Sequence, residues 1–146
     1  MASTSGSAVV PAPVLTDASV WVAFFVAADV NYVASRNWID SHTRASGMLV
    51  APSILLTEVA AALSRRLGRP GLALQVVASL NRLTLLRIVQ TDGKLMTEAT
   101  DIAANYRLRG ADAIYVAAAR QLGITLLTWD TEQLTRPAAI ITAVTP

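Results

Sequence analysis

Short apolar runs alternate along the chain with longer stretches whose apolar residues return every three or four positions. This alternation predicts strands separated by helices. Residues 13–16, 47–51, 84–89, 124–128 and 140–144 read as five brief buried strands, the second stopped by Pro52. Helices are expected over residues 20–28, 32–45, 54–67 and 70–83, from a cap at Thr91 or Asp92 to Arg107, and over 112–122. A short turn or helix is expected over 131–134. Ser53 is a candidate N-cap, Pro70 stands where a helix tolerates proline, and Gly68, Gly110 and Gly123 interrupt or end the periodic stretches. On the second helix Val33, Trp38 and Ile39 are expected inward, with Arg36, Asp40 and Arg44 outward. Strands alternating with helices imply right-handed crossovers and an α/β domain with a mainly parallel sheet between helical layers.

Composition narrows the setting. At 146 residues the chain suits one domain, and its 53% apolar content and mean hydropathy of +0.47 are high for a globular protein. The longest apolar run, residues 18–28, is too short to span a bilayer and is bracketed by Asp17 and Asp29. The surplus apolar surface points instead to a partner or dimer interface. Without cysteine, disulfides and thiolate metal sites are excluded. Residues 1–12 lack the charged and apolar regions of a signal peptide, and their Ser, Ala, Thr and Pro content suggests a disordered leader before a domain at 13–146. A cytoplasmic location is expected.

Charge becomes informative once four acids are considered together. Asp17 and Asp130 each follow an apolar strand, so a parallel sheet puts both on the rim where open α/β sheets bind ligands. Asp112 lies near a helix start after the Arg109-Gly110-Ala111 turn, where the helix dipole favours negative charge. Glu58, a turn into its helix, stands at the edge of the apolar stripe formed by Leu55, Val59, Ala62 and Leu63. Two bare carboxylates about 4 Å apart repel by roughly 4 kcal/mol at an effective dielectric near 20, so a gathering of this kind either retains protons or binds a cation. Oxygen-only ligands favour Mg²⁺, or Mn²⁺, over Zn²⁺, and such ions serve phosphate hydrolysis. With these four set aside, 12 basic groups face 6 acidic ones. Eleven of the basic residues are Arg, a bias that suits a nucleic-acid partner but that a GC-rich genome also produces.

Four segments, Thr16-Asp17-Ala18-Ser19 with Val20 to Ala23, Leu56-Thr57-Glu58-Val59, Leu108-Arg109-Gly110-Ala111-Asp112-Ala113 with its following helix, and Leu127-Thr128-Trp129-Asp130, resemble in order and spacing those of the PIN-domain nucleases. Size and style are similar to the VapC-type toxins of bacterial toxin–antitoxin pairs. The resemblance implies a three-layer fold around a five-stranded parallel sheet, and a metal-dependent endoribonuclease that leaves 5′-phosphate and 3′-hydroxyl ends. It further implies that Asp17 and Asp112 bind Mg²⁺ directly, that Glu58 and Asp130 complete the cage or act through water, and that Ser19 and Thr128 hydrogen-bond to the acids. Trp129, bulky beside the last acid, departs from the family pattern and is expected to alter access. RNA as substrate, a cognate antitoxin and a homodimer follow from the same resemblance. The alternatives are a PIN-type nuclease acting in RNA processing or decay without an antitoxin, and a non-catalytic module binding RNA or protein.

The remaining candidates have plainer readings. Asp29, Asp40, Asp92, Glu98, Asp101 and Glu132 suit surface or capping roles. His42, the only histidine, has no partner for paired acid–base chemistry. Arg65, Arg66 and Arg69 would line an RNA path or meet an acidic partner segment. Trp21, Phe24, Phe25 and Trp38 belong to the core or to a dimer and antitoxin interface.

Overall fold

A computed structural model describes residues 9–146, so the expected leader lies outside the described residues as far as residue 8. Residues 9–12 join no helix or strand. The elements are β1 (Val14–Thr16), α1 (Ala18–Phe25), α2 (Tyr32–Arg44), β2 (Leu49–Pro52), α3 (Ile54–Leu67), α4 (Pro70–Arg82), β3 (Leu86–Val89), α5 (Gly93–Tyr106), α6 (Gly110–Leu122), β4 (Thr125–Leu127), α7 (Thr131–Thr135) and β5 (Ala143–Val144). The five strands form one sheet in the order β3-β2-β1-β4-β5, and every pairing is parallel. In register, Leu15 stands between Val50 and Leu126. From β1 the chain winds to β2 and β3 and then returns to the opposite side of β1 for β4. Right-handed crossovers in the two directions put helices on both faces. The reversal lies between β1 and β4, so the crevice at their carboxyl ends is the topological switch point.

The core explains why the central strands read as unbroken apolar runs: Leu15, Leu49, Ala51, Leu126 and Leu127 are almost wholly excluded from solvent. Helix α6 crosses β1, β2 and β4, and every residue from Ala113 to Ala119 is buried. A helix buried all round has no polar face to show in its pattern, and its alanines let α5 and the sheet approach closely. Trp21 is fully buried, its indole Nε1 donating to Thr16 Oγ1 at 2.9 Å, so it belongs to the core and cannot be an interface residue.

Several local expectations change. Pro52 is the last residue of β2 rather than its stop. Ser53 does not cap α3; its hydroxyl meets Thr91 Oγ1 at 3.1 Å and accepts from the Thr91 backbone, tying the ends of β2 and β3 together. Helix α1 ends at Phe25, where Asp29 organises a turn by accepting from the Asn31 backbone at 2.8 Å. The break between α5 and α6 falls at Arg107, in a left-handed conformation with φ of 54°, and Gly110 begins α6. On α2 it is Ser35, Ile39 and His42 that are buried, whereas Val33 is 65% exposed. Asp92 does cap α5, accepting from Leu95 at 2.9 Å. Among the described residues no helix is long and apolar enough to cross a membrane.

His42 has a structural place. Its ring stacks on Trp38 with centroids 4.6 Å apart, and Nε2 meets Met48 O at 3.0 Å. Gly47 makes the room, since a Cβ there would come within 2.5 Å of the imidazole. Gly47→Ala is therefore expected to cost about 1–3 kcal/mol in urea unfolding. His42→Ala in the same chain should recover much of that loss, a coupling that a double-mutant cycle reads directly. Equal stability of Gly47→Ala and wild type would contradict the fit.

Candidate metal centre

Asp17 is placed by β1 and by α1 at once. Its backbone N–H donates to Leu127 O at 3.3 Å, extending the β1–β4 pairing to the acid itself. Its extended backbone then makes it the N-cap of α1, with Oδ1 accepting from Val20 N at 3.3 Å. Capping and site roles are thus carried by one carboxylate. Ser19 Oγ donates to Oδ1 and Thr128 Oγ1 to Oδ2, each at 2.6 Å, so the two hydroxyl residues anticipated beside the acids are both in contact with Asp17. The group is nonetheless only 4% exposed. Burial pushes its pKa up to about 6, against the pull of those hydrogen bonds and with a smaller push from the charge of Asp130.

Asp112 and Asp130 stand at the mouth of the same crevice. Asp112 is in the first turn of α6; Asp130 caps α7, accepting from Gln133 N at 3.0 Å. In the capping box the third residue's side chain turns back to the cap backbone. Gln133 does otherwise: fully buried, it takes its carbonyl to Thr128 Oγ1 at 2.8 Å and its amide to Asp112 O and Oδ1 at 3.3 and 3.4 Å. Burial and the nearby Asp130 raise the Asp112 pKa, with Arg109 opposing. Arg109 bridges the pair, Nε to Asp112 Oδ2 at 3.1 Å and Nη2 to Asp130 Oδ2 at 3.4 Å, while 76% of its side chain remains exposed.

Among the described residues, the acids whose oxygens converge within 4.8 Å of one another are Asp112, Asp130 and Glu132. Glu132 was expected to be a surface or capping residue. Its place as the second residue of α7, two after the Asp130 cap, brings it into the group, and Arg136 pairs with it at 3.3 Å. Asp17 lies behind this group, joined to it through Thr128 and the field of Asp130. Glu58 belongs to another wall: Tyr115 on α6 donates to Glu58 Oε1 at 2.6 Å, bridging α3 and α6 over the rim. Burial and then the Glu58 carboxylate raise the phenol pKa of Tyr115, which keeps it a donor. Four predicted acids therefore share one rim, but only Asp112 and Asp130 fall in the tight group. The donors are carboxylate oxygens without His or Cys, partly desolvated and held by neighbours, a set that fits a hard divalent cation.

Of the residues that shape the centre, Tyr115, Gln133 and Glu132 were missed as functional. Tyr115 follows Asp112 by three positions and Gln133 follows Asp130 by three, so helical spacing could have placed each beside its acid.

Comparison with known proteins bears on the family and the fold. Residues 14–139 match the family model described as PIN domain. The chain belongs to the PIN domain family. Among solved structures, this PIN domain is similar to Mycobacterium tuberculosis VapC20, described as a sarcin-ricin loop cleaving toxin, with a TM-score of 0.76 and 22% identity over 91% of this chain and 99% of that one. VapBC2 of Rickettsia felis, bound to a DNA fragment from its promoter, gives 0.66 at 12% identity, covering 92% and 98%. FitAcB of Neisseria gonorrhoeae gives 0.64 at 20% identity, covering 89% and 95%. No curated protein sequence matches the chain.

The raised Asp17 pKa sets a pH dependence for the PIN domain without metal. Below about pH 4 the folded and unfolded chains both hold the proton. Between there and the folded value of about 6 only the folded chain holds it, so stability falls as pH rises through this window and then levels. At neutral pH the cost is about 2–3 kcal/mol. Asp17→Asn should flatten that fall in unfolding midpoints measured from pH 4 to 7 in EDTA. An unchanged slope would show that Asp17 titrates normally.

Proposed function

We propose that this PIN domain is a divalent-metal-dependent endoribonuclease that acts as the toxin of a toxin–antitoxin pair. The observation that carries the nuclease reading is the convergence of Asp112, Asp130 and Glu132 within 4.8 Å, with buried Asp17 behind them and Glu58 opposite. Such a group of oxygen donors suits a hard cation. Asp112 and Asp130 would hold Mg²⁺, or Mn²⁺, with Glu132 beside them and Asp17 reached from behind. When bound, the ion lowers the pKa of water and offsets charge on phosphate oxygens.

The chain's own groups supply the rest. Ser19 and Thr128 hold the Asp17 oxygens in fixed directions. Tyr115 occupies one oxygen of Glu58 and leaves the other to orient water or receive its proton. Arg109, exposed at the mouth, is placed to leave the acids and meet a substrate phosphate in bidentate fashion. RNA as substrate is supported by the arginine-rich composition and by the likeness to VapC20, a sarcin-ricin loop cleaving toxin. An antitoxin partner is supported by the VapBC2 and FitAcB assemblies. Phe24, Phe25 and Trp38, which stay partly exposed at the edge of the core, offer a surface to that partner or to a second copy of the chain in the cytoplasm.

Purified protein should cut total RNA with Mg²⁺ and not with EDTA. Asp17→Asn and Asp112→Asn should each lower the rate at least about 100-fold, since loss of an outer-shell group alone costs 10–100-fold. Growth arrest on expression, relieved by a neighbouring reading frame, would support the toxin role. Arrest without any such frame would favour a stand-alone nuclease. Full cutting by Asp112→Asn would overturn the mechanism.

A further inference from the structure

A second concavity of ≈ 340 Å³ adjoins the acids and shares Ser19 and Glu58 with them; Asn31, Ala62, Arg65 and Trp129 also line it. Resting on the nuclease reading, we propose that it is the subsite for one unpaired nucleotide next to the scissile phosphate of the RNA, with Trp129 as the base platform and Arg65 as the phosphate contact.

Trp129 is fixed at both ends. Its backbone N–H donates to Ser19 Oγ at 2.9 Å, and its indole Nε1 donates to Ser35 Oγ on α2 at 2.8 Å. An aromatic surface held this way loses little freedom when a base stacks on it. The Ser19 hydroxyl that accepts from Trp129 also donates to Asp17 at 2.6 Å, so the platform is registered to the acids through a single oxygen. Trp129 therefore forms a wall of the cleft rather than a block across it.

Helix α3 supplies the opposite wall. Glu58, Ala62 and Arg65 follow one another at four and three residues, on one face. Arg65 thus stands about 10 Å along the helix axis from Glu58, and the small Ala62 between them leaves the space open. The neighbouring Arg66 is occupied by Asp29 at 2.7 Å, whereas Arg65 is exposed and forms no ion pair among the described residues. The outer end of the concavity therefore offers one uncompensated guanidinium, matched to one phosphate. The volume is at the small end of ligand sites and takes one nucleotide, not a folded duplex. A basic peptide side chain would meet Arg65 and Arg66 on the way in, which favours RNA as the occupant. Asn31, at the start of α2, adds an amide, both donor and acceptor, to the lining.

The test is binding of a fluorescent single-stranded hexaribonucleotide to the full chain in EDTA, where cutting is blocked, with thermal melts to confirm folding. Trp129→Leu should weaken binding roughly tenfold or more, and Trp129→Phe, which keeps a stacking ring, should stay close to wild type. Arg65→Ala should weaken binding and lower the slope of log affinity against log salt by about 0.7, the value of one single-strand phosphate. Wild-type affinity in folded Trp129→Leu and Arg65→Ala overturns the subsite. So does an equal loss in Trp129→Phe and Trp129→Leu, which would mark a structural tryptophan, or capture of an arginine-rich peptide here in preference to RNA. A chain that binds RNA through these residues yet never cuts it with Mg²⁺ sinks the nuclease reading and leaves the subsite standing; a chain that cuts while both variants bind normally does the reverse.

Discussion

Like charges brought together on one rim are the constraint to which the rest of the fold answers. Asp17 caps α1, Asp130 caps α7 and Asp112 sits in the first turn of α6, so each carboxylate faces the positive end of a helix. A helix terminus contributes about 0.3–1 kcal/mol per charge. Repulsion between two carboxylates about 4 Å apart is roughly 4 kcal/mol at an intermediate dielectric. Helix ends alone therefore cannot balance the group. The remainder falls to Arg109, which lies across Asp112 and Asp130 from the solvent side, while Asp17 gives up its proton late chiefly because it is buried.

That arrangement needs the sheet order. With β1 central and the chain reversing between β1 and β4, the ends of those strands deliver Asp17 and Thr128 to one crevice, where they are bonded at 2.6 Å despite a separation of 111 residues. Helix α6 lies across the same strands and brings Asp112 and Tyr115 from the other layer. Its run of buried alanines is the packing condition for this, because bulkier side chains would lift the helix and both polar residues away from the crevice. Stability is given up at Asp17 so that a charged group is present where chemistry needs it.

Strand–helix alternation and the acids following strands were legible because each rests on local pattern. Asp17 and Asp92 are caps that the residue type alone announces, and α3 falls on residues 54–67 as its periodicity and glycine end imply. The failures come from contacts remote in sequence. Val33 reads as inward by apolarity, yet Ser35 takes the inward face because it accepts from the Trp129 indole 94 residues away. Ser53 abandons its cap for Thr91 on the neighbouring strand end. Glu132 looks like any first-turn acid until Gln133 ties α7 to Asp112 at the start of α6, and nothing local distinguishes it from Glu98, which instead accepts from Gln121 on the surface.

Thr128 has one hydroxyl proton and two acceptors for it, Asp17 Oδ2 at 2.6 Å and Gln133 Oε1 at 2.8 Å. When Asp17 is ionised the proton belongs with the carboxylate, and the Gln133 carbonyl loses its donor; when Asp17 is neutral the hydroxyl is free to turn to Gln133. The far end of that amide rests on Asp112. A change in protonation at the back of the crevice is thereby passed to its mouth through two neutral side chains, Thr128 and Gln133.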